Sequence, residues 1–346
     1  MNKQPALVLV EPGKTEIREI DIPVPGPQDV LLRVNRVGFC GGDLNGFRGL
    51  FELQEYPNVL GHEVGATVLE TGSEVPDQFQ PGMHVTLNPY LNCGTCLSCR
   101  KGRPNACQDN KTMGVRRPGA MTQFISVPWQ KLHASSQLSV RELALVEPLT
   151  VGFHAIDRGR VVAGEKVAVI GCGIVGMGAV AAAVHRGAEV IAIDIDDTKM
   201  RTARLAGASH TINTTTVDLH EALQAITNGD GPDVIIEAVG NPATYRAAVE
   251  EVAYTGRVVY IGYAKKPVDY NTGTFVRKEI EILGSRNCLG DFPDVINYLE
   301  AGKFPVDAVI SREVSLAEAG TALADWSANP GPITKIMVNL DNEFPQ

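Results

Sequence analysis

The chain has 346 residues, 44% of them hydrophobic and 21% charged, with a formal net charge of −9. That length exceeds one ordinary core and predicts two domains of a globular protein. The acidic balance argues against a nucleic-acid surface, since the basic pairs Arg116-Arg117 and Lys265-Lys266 are too short to reverse it, and no apolar stretch reaches the ~18–20 residues that cross a bilayer.

In chain order, the apolar run Ala6 to Val10 is too short for the core of a secretory signal. The expected address is therefore the cytoplasm, where thiols stay reduced. Residues 1–150 read as short strands, among them Leu31 to Val34, Ala66 to Leu69, His84 to Leu87 and Gln123 to Val127. Turn formers such as Pro23-Val24-Pro25-Gly26-Pro27 punctuate them, the pattern of a β-rich domain. From about residue 164, strands and helices alternate. Lys166 to Ile170 is followed by a glycine-rich turn and an alanine-rich helix, then by Glu189 to Ile193, a helix near 197–206, and Pro232 to Val239. A helix over 242–254, Arg257 to Ile261 and Glu279 to Leu283 complete an expected parallel sheet covered on both faces. Residues 288–340 return to mixed structure, with a helix at 293–301 and a strand Lys335 to Val338, and this tail can rejoin the first domain.

Four cysteines, Cys93, Cys96, Cys99 and Cys107, are spaced C-x2-C-x2-C-x7-C among loop formers. A segment of this kind can wrap one tetrahedral zinc in a lobe of about residues 88–110. Two disulfides, or cysteines that are merely buried, are the alternatives, and the absence of a secretory signal argues against the first. A four-thiolate site has no open position, so it accounts for stability rather than chemistry.

Gly171-x-Gly173-x-x-Gly176, with Ile174 and Val175 inside it, follows a strand, opens a helix and is followed by Asp194 at the end of the next strand. Gly171 permits the tight turn, Gly173 the approach of a pyrophosphate, and Gly176 close helix–strand packing. Asp194 can accept from the ribose hydroxyls and would repel a 2′-phosphate, which favours NAD over NADP. A glycine turn without a ligand is the plainer alternative.

Away from these motifs, Cys40, His62, Glu63 and Glu147 offer one thiolate, one imidazole and two carboxylates. Such a set can hold zinc with one position open, although each residue alone also fits an ordinary buried role. The motifs Cys40-Gly-x-Asp43, Gly61-His62-Glu63, the four-cysteine loop, Glu147-Pro148-Leu149 and the glycine turn occur in the order found in zinc-dependent medium-chain dehydrogenases. The chain resembles that family over essentially its full length, most of all the sorbitol and sugar-acid dehydrogenase branch. The resemblance implies an α/β protein with a GroES-like β-rich catalytic domain (1–150 and 288–346) and a Rossmann NAD-binding domain (151–287). It implies a catalytic zinc on Cys40, His62 and Glu63, with Glu147 approaching the metal directly or through water, and Asp43 orienting His62. It implies a structural zinc on the four cysteines. Two positions depart from the family pattern. Gly42 stands where a Ser or Thr hydroxyl usually relays the substrate proton, and Asn45 where the branch commonly has His.

The expected activity is zinc- and NAD-dependent oxidation of a secondary alcohol on a polyol or sugar acid, such as a hexonate or sorbitol. Glu147 with a metal-held water is the expected proton acceptor. Arg286 and Asn287 match positions that face substrate in relatives, and Arg116 with Arg117 can clamp a carboxylate, which favours a sugar acid. The alternatives are an L-threonine 3-dehydrogenase-like enzyme and a silent NAD- and zinc-binding structural protein. The expected partners are a small-molecule substrate and further copies of the chain, as a homodimer or homotetramer; neither nucleic acid nor membrane is expected.

Overall fold

The computed structural model describes residues 3–341, so the expected domain limits at residues 1 and 346 lie outside it. The chain divides into two compact units. One takes residues up to Glu147, Phe292–Ala301 and residues from Ile310 onward; the other takes Pro148–Asp291 and Gly302–Val309. The segment Gly302–Val309, expected in the first domain, thus belongs to the second unit and carries the buried side chains of Phe304 and Val309.

The first unit is built on β-sheet. A strand Asp29–Gly38 lies at the centre, antiparallel to Glu63–Thr71 on one side and to Lys335–Asn339 on the other, while Phe124–Pro128 also pairs with its first half. Alternate residues Val30, Leu32 and Val34 of the central strand are fully buried. That period-two pattern is what a strand with one face on a core requires. A hairpin, Lys3–Glu11 with Lys14–Asp21, adds Ala6, Leu7, Val8 and Leu9 to the same core. The helix Leu316–Ala328 closes it with Leu316, Ala319, Ala322 and Leu323. Lys335–Asn339 is what brings the end of the chain back into the sheet, as the sequence allowed.

The second unit holds a six-stranded, all-parallel sheet. Its spatial order is His210–Asn213, Glu189–Asp194, Lys166–Ile170, Val234–Glu237, Arg257–Tyr260, Glu281–Gly284. This is the doubly wound arrangement, and the direction of winding reverses beside Lys166–Ile170. Helices follow the strands, as parallel connections demand. Two elements escape the sequence pattern. His210–Asn213 is an edge strand in which only Ile212 is buried, and Leu219–Thr227 is an amphipathic helix capped by Asp218, whose side chain accepts from the Glu221 N–H.

Candidate active site

Three strand ends converge in the first unit. Cys40 lies two residues beyond the central strand and caps the helix Gly41–Phe47, where its Sγ accepts the Gly42 N–H at 3.3 Å. Asp43 completes a reciprocal cap by accepting the Cys40 N–H at 2.8 Å. The Cys40 sulfur therefore sits at a helix start and faces a backbone N–H. His62 and Glu63 open the strand Glu63–Thr71 after Gly61, whose φ of +98° and tight contact with Val37 and Met121 admit only glycine. Donor atoms of Cys40, His62 and Glu63 all lie within 4.8 Å of one another.

A fourth group, which the sequence did not single out, completes this cluster. Lys335, the first residue of Lys335–Asn339, is fully buried and donates to Glu63 Oε2 at 2.5 Å and to the Phe39 carbonyl at 2.7 Å. In the sheet, Gly38 pairs with Glu63 on one side and Met337 on the other. The Glu63 carboxylate crosses the central strand over Gly38, where a Cβ would stand 2.0 Å from Glu63 Oε2. The absence of a side chain at residue 38 is therefore what lets Glu63 reach Lys335.

The donor set fits a divalent zinc. Glu63 Oε1 is a buried polar atom without a hydrogen-bond partner. Groups of that kind are costly unless something else satisfies them. His62 Nδ1 faces Asp43 Oδ1 at 4.0 Å, which leaves Nε2 as the nitrogen for a metal. Burial alone would push the His62 imidazolium down, yet Asp43, Cys40 and Glu147 hold it well above its usual range. Burial raises the Asp43 carboxyl, with His62 opposing. That excess of acidic groups around one imidazole is the charge a cation would offset.

Glu147, in the first turn of the helix Val146–Arg158, lies outside the three-residue group, and its side chain is buried. Its Oε1 accepts a hydrogen bond from the buried Tyr90 hydroxyl. Burial pushes the Glu147 carboxyl up, with His62 opposing. Tyr90 sits three residues before Cys93, the first of the four cysteines, and the sequence offered no pattern that marks it. Gly42 leaves open space: a Cβ there would make only ordinary contacts, 3.7 Å from Cys40 Sγ and 3.8 Å from Phe51.

The cysteine lobe is also formed. Sγ separations are 3.5 Å for Cys93–Cys107, 3.5 Å for Cys96–Cys99 and 3.9 Å for Cys96–Cys107. Four sulfurs about 2.3 Å from a tetrahedral zinc stand about 3.8 Å apart, whereas a disulfide needs about 2.05 Å. All four cysteines are free, so the disulfide alternative does not hold. Hydrogen bonds from Ser98 and from the Gln108 and Cys99 backbones pull the Cys96 thiol down to about 5, while burial pushes Cys99 up to about 12.

In the second unit, the glycine turn has the shape its spacing implied. Gly171 has φ +94° and touches Val239; Gly176 packs so closely that a Cβ would meet the Gly171 carbonyl at 1.8 Å. Nothing lies within 4 Å of a Cβ on Gly173, which begins the helix Ile174–His185 without a side-chain cap. The N–H groups of Ile174, Val175 and Gly176 are thus left for a phosphate. Asp194 accepts from the N–H groups of Cys172 at 2.7 Å, Ile195 at 2.8 Å and Asp196 at 3.1 Å. Its carboxylate is locked beside the turn, and it keeps lone pairs for further donors.

The candidate substrate residues divide. Arg116 is ion-paired with Asp109 at 3.0 Å and Glu55 at 3.5 Å. Arg286 and Asn287 are half-buried just beyond the strand Glu281–Gly284 of the second unit, with Asn287 in the left-handed region at φ 51°.

Comparison with known proteins agrees with both halves of the fold. The alcohol dehydrogenase GroES-like domain matches residues 26–137, and the zinc-binding dehydrogenase domain matches residues 175–301. Sorbitol dehydrogenase of Bacillus subtilis is 32% identical over 341 residues, covering 96% of each chain. L-galactonate-5-dehydrogenase of Escherichia coli is 28% identical, covering 92% of this chain and 93% of its own. Two solved structures superpose closely. A zinc-binding dehydrogenase from Sinorhizobium meliloti bound to NADP has a TM-score of 0.91 at 30% identity, covering 98% and 100%. An alcohol dehydrogenase from Escherichia coli CFT073 complexed with NADH has a TM-score of 0.90 at 25% identity, with the same coverage. The chain belongs to the zinc-dependent medium-chain alcohol dehydrogenase family, and it is an oxidoreductase of that class.

Proposed function

We propose that the protein oxidises a secondary alcohol on a polyol or sugar acid to the ketone with NAD. The observation that carries this reading is the convergence of Cys40, His62 and Glu63 beside a buried, tyrosine-held Glu147. Cys40 Sγ, His62 Nε2 and Glu63 Oε1 would hold a catalytic zinc, and the four cysteines of the lobe a structural one. Bound zinc supplies Lewis acidity at the alcohol oxygen, and NAD supplies the hydride acceptor. Asp43 fixes the His62 ring so that Nδ1 carries the proton. Lys335 holds Glu63 Oε2 and leaves Oε1 for the metal. Glu147 takes the hydroxyl proton of the substrate, and the Tyr90 hydroxyl fixes the carboxylate for that task. Gly42 has no hydroxyl to share this role.

Asp194 supports NAD as the preferred dinucleotide, since its carboxylate stands beside the phosphate-binding turn and disfavours a second phosphate on the ribose. The sorbitol and galactonate dehydrogenase relatives support the substrate class. Glu281–Gly284 forms the exposed edge of the parallel sheet, the strand that a second copy of the chain would extend. The test is NADH formation by zinc-replete protein on alditols, aldonates and L-threonine. Turnover of the first two classes is expected; turnover of L-threonine alone would replace this reading with the amino-acid one.

A further inference from the structure

Arg116 and Arg117 are neighbours with opposite fates. Arg116 spends its charge on Asp109 and Glu55. Among the described residues, Arg117 has no carboxylate at ion-pair distance. Its Nη2 donates to the Pro89 carbonyl at 3.2 Å, and its Nε is buried without any partner. Burial lowers its pKa, the sign of a guanidinium short of compensation. A guanidinium has five N–H donors and is not discharged in a protein, so one carbonyl leaves most of its capacity unused. Half-burying such a cation is costly unless an anion arrives.

Its backbone is not loose. The Arg117 carbonyl accepts from the Gly114 N–H at 2.8 Å and from Asn58 Nδ2 at 3.2 Å. The same segment is pinned to the two residues that precede His62: the Ala120 N–H donates to the Gly61 carbonyl at 2.9 Å, and a Cβ on Gly119 would stand 2.2 Å from the Leu60 carbonyl. The guanidinium itself rests on Pro89, the residue before Tyr90, whose hydroxyl bonds Glu147. A guanidinium short of an anionic partner thus rests on the residue that precedes the tyrosine bonded to the proposed proton acceptor.

We propose that Arg117, rather than Arg116, is the specificity-determining residue of this site, and that its guanidinium receives the carboxylate of a sugar-acid substrate. The inference rests on the dehydrogenase reading above and narrows it from alcohols in general to anionic ones. The planar fork of arginine suits a carboxylate in two-point contact, which a polyol terminus cannot match.

Zinc-replete wild type, Arg117→Met and Arg117→Lys are compared with NAD on gluconate and galactonate and on the matched alditols glucitol and galactitol. The wild type is expected to prefer the aldonates. In Arg117→Met, KM for aldonates is expected to rise about tenfold to a hundredfold, the range for losing a hydrogen bond to a charged group. KM for alditols should stay within about twofold, and Arg117→Lys should recover part of the aldonate preference. Equal changes for both substrate classes, or a wild type that prefers alditols, would overturn the proposal. Thermal unfolding with added aldonate separates this failure from failure of the dehydrogenase reading. Should no alcohol yield NADH, that reading falls. An aldonate-dependent rise in Tm that vanishes in Arg117→Met would still support the anion site, and no rise in the wild type would end it.

Discussion

Lys335 Nζ and Glu63 Oε2 form a fully buried ion pair across a strand that belongs to neither, passing over Gly38. The two residues are 272 positions apart, yet the pair fixes which oxygen of Glu63 stays available to a metal. Taking two charges out of water is costly, and an arrangement of this kind holds only while both partners remain.

Replacing Lys335 by Met leaves the Glu63 carboxylate buried without its counter-charge. The metal-free protein is expected to lose about 3–5 kcal/mol of stability. Urea unfolding of wild type and Lys335→Met in the presence of a chelator measures this. Added zinc should return part of the loss, since the cation takes over as the charge partner. Equal stability of the two proteins without metal would contradict the role given to Lys335.

Gly38→Ala tests the same relationship without touching a charge. The new Cβ would meet Glu63 Oε2 at 2.0 Å, so the carboxylate must move off Lys335 or the strands must part. The variant is expected to bind zinc at least about tenfold more weakly in a competition with a chromogenic chelator, as outer contacts to a metal ligand typically contribute. Unchanged zinc affinity would show that the crossing over Gly38 is incidental.

The Tyr90 hydroxyl holds Glu147 and nothing in this account gives it a place in substrate binding. Tyr90→Phe should therefore lower kcat about tenfold to a hundredfold while KM moves little. Glu147→Gln should cost about a hundredfold or more, the ordinary contribution of a positioned base. Residue 42 has room for a serine, so Gly42→Ser should fold normally. If Glu147 takes the proton, adding that hydroxyl to Glu147→Gln restores little activity; full rescue would move the proton route to residue 42.

His133, which is not part of the metal cluster, provides a further pH dependence. Its ring stacks on Phe292 with centroids 4.6 Å apart, and burial, helped by Lys131, pushes its pKa from 6.5 down to about 4. The unfolded chain therefore takes up this proton first as pH falls. His133 costs nothing above about pH 6.5, removes stability progressively between there and about pH 4, and changes nothing further below, at most about 3 kcal/mol in all. His133→Phe should flatten that part of the stability curve in denaturant titrations at successive pH values. An unchanged curve would mean that the ring titrates in the folded state as it does in water.

What the sequence made legible was local. The cysteine loop and the glycine turn each occupy one short segment whose spacing already points to a metal loop and a phosphate turn, whereas Cys40, Asp43, His62 and Glu63 were marked through the family resemblance. Glu189–Asp194 and Lys166–Ile170 were readable because continuous apolar runs leave few alternatives to a buried parallel strand. The pairs that tune the site were not. Glu63 meets Lys335 only through strand register, and Glu147 meets Tyr90 from 57 positions away. Lys335 leads the apolar strand Lys335–Asn339, and a lysine there reads as a solvated strand end until its partner is known. The same blindness applied to the two adjacent arginines, whose different partners lie in the folded chain and not in their order.

The most direct test of the whole account is the zinc content of wild type and Cys40→Ser, measured by atomic absorption on folded protein together with NADH formation. The account predicts one zinc for each of the two clusters in the wild type, and in Cys40→Ser a folded chain that keeps the lobe zinc, loses the other and makes no NADH. A Cys40→Ser protein that retains both metals, or that oxidises its substrate at the wild-type rate, would contradict it.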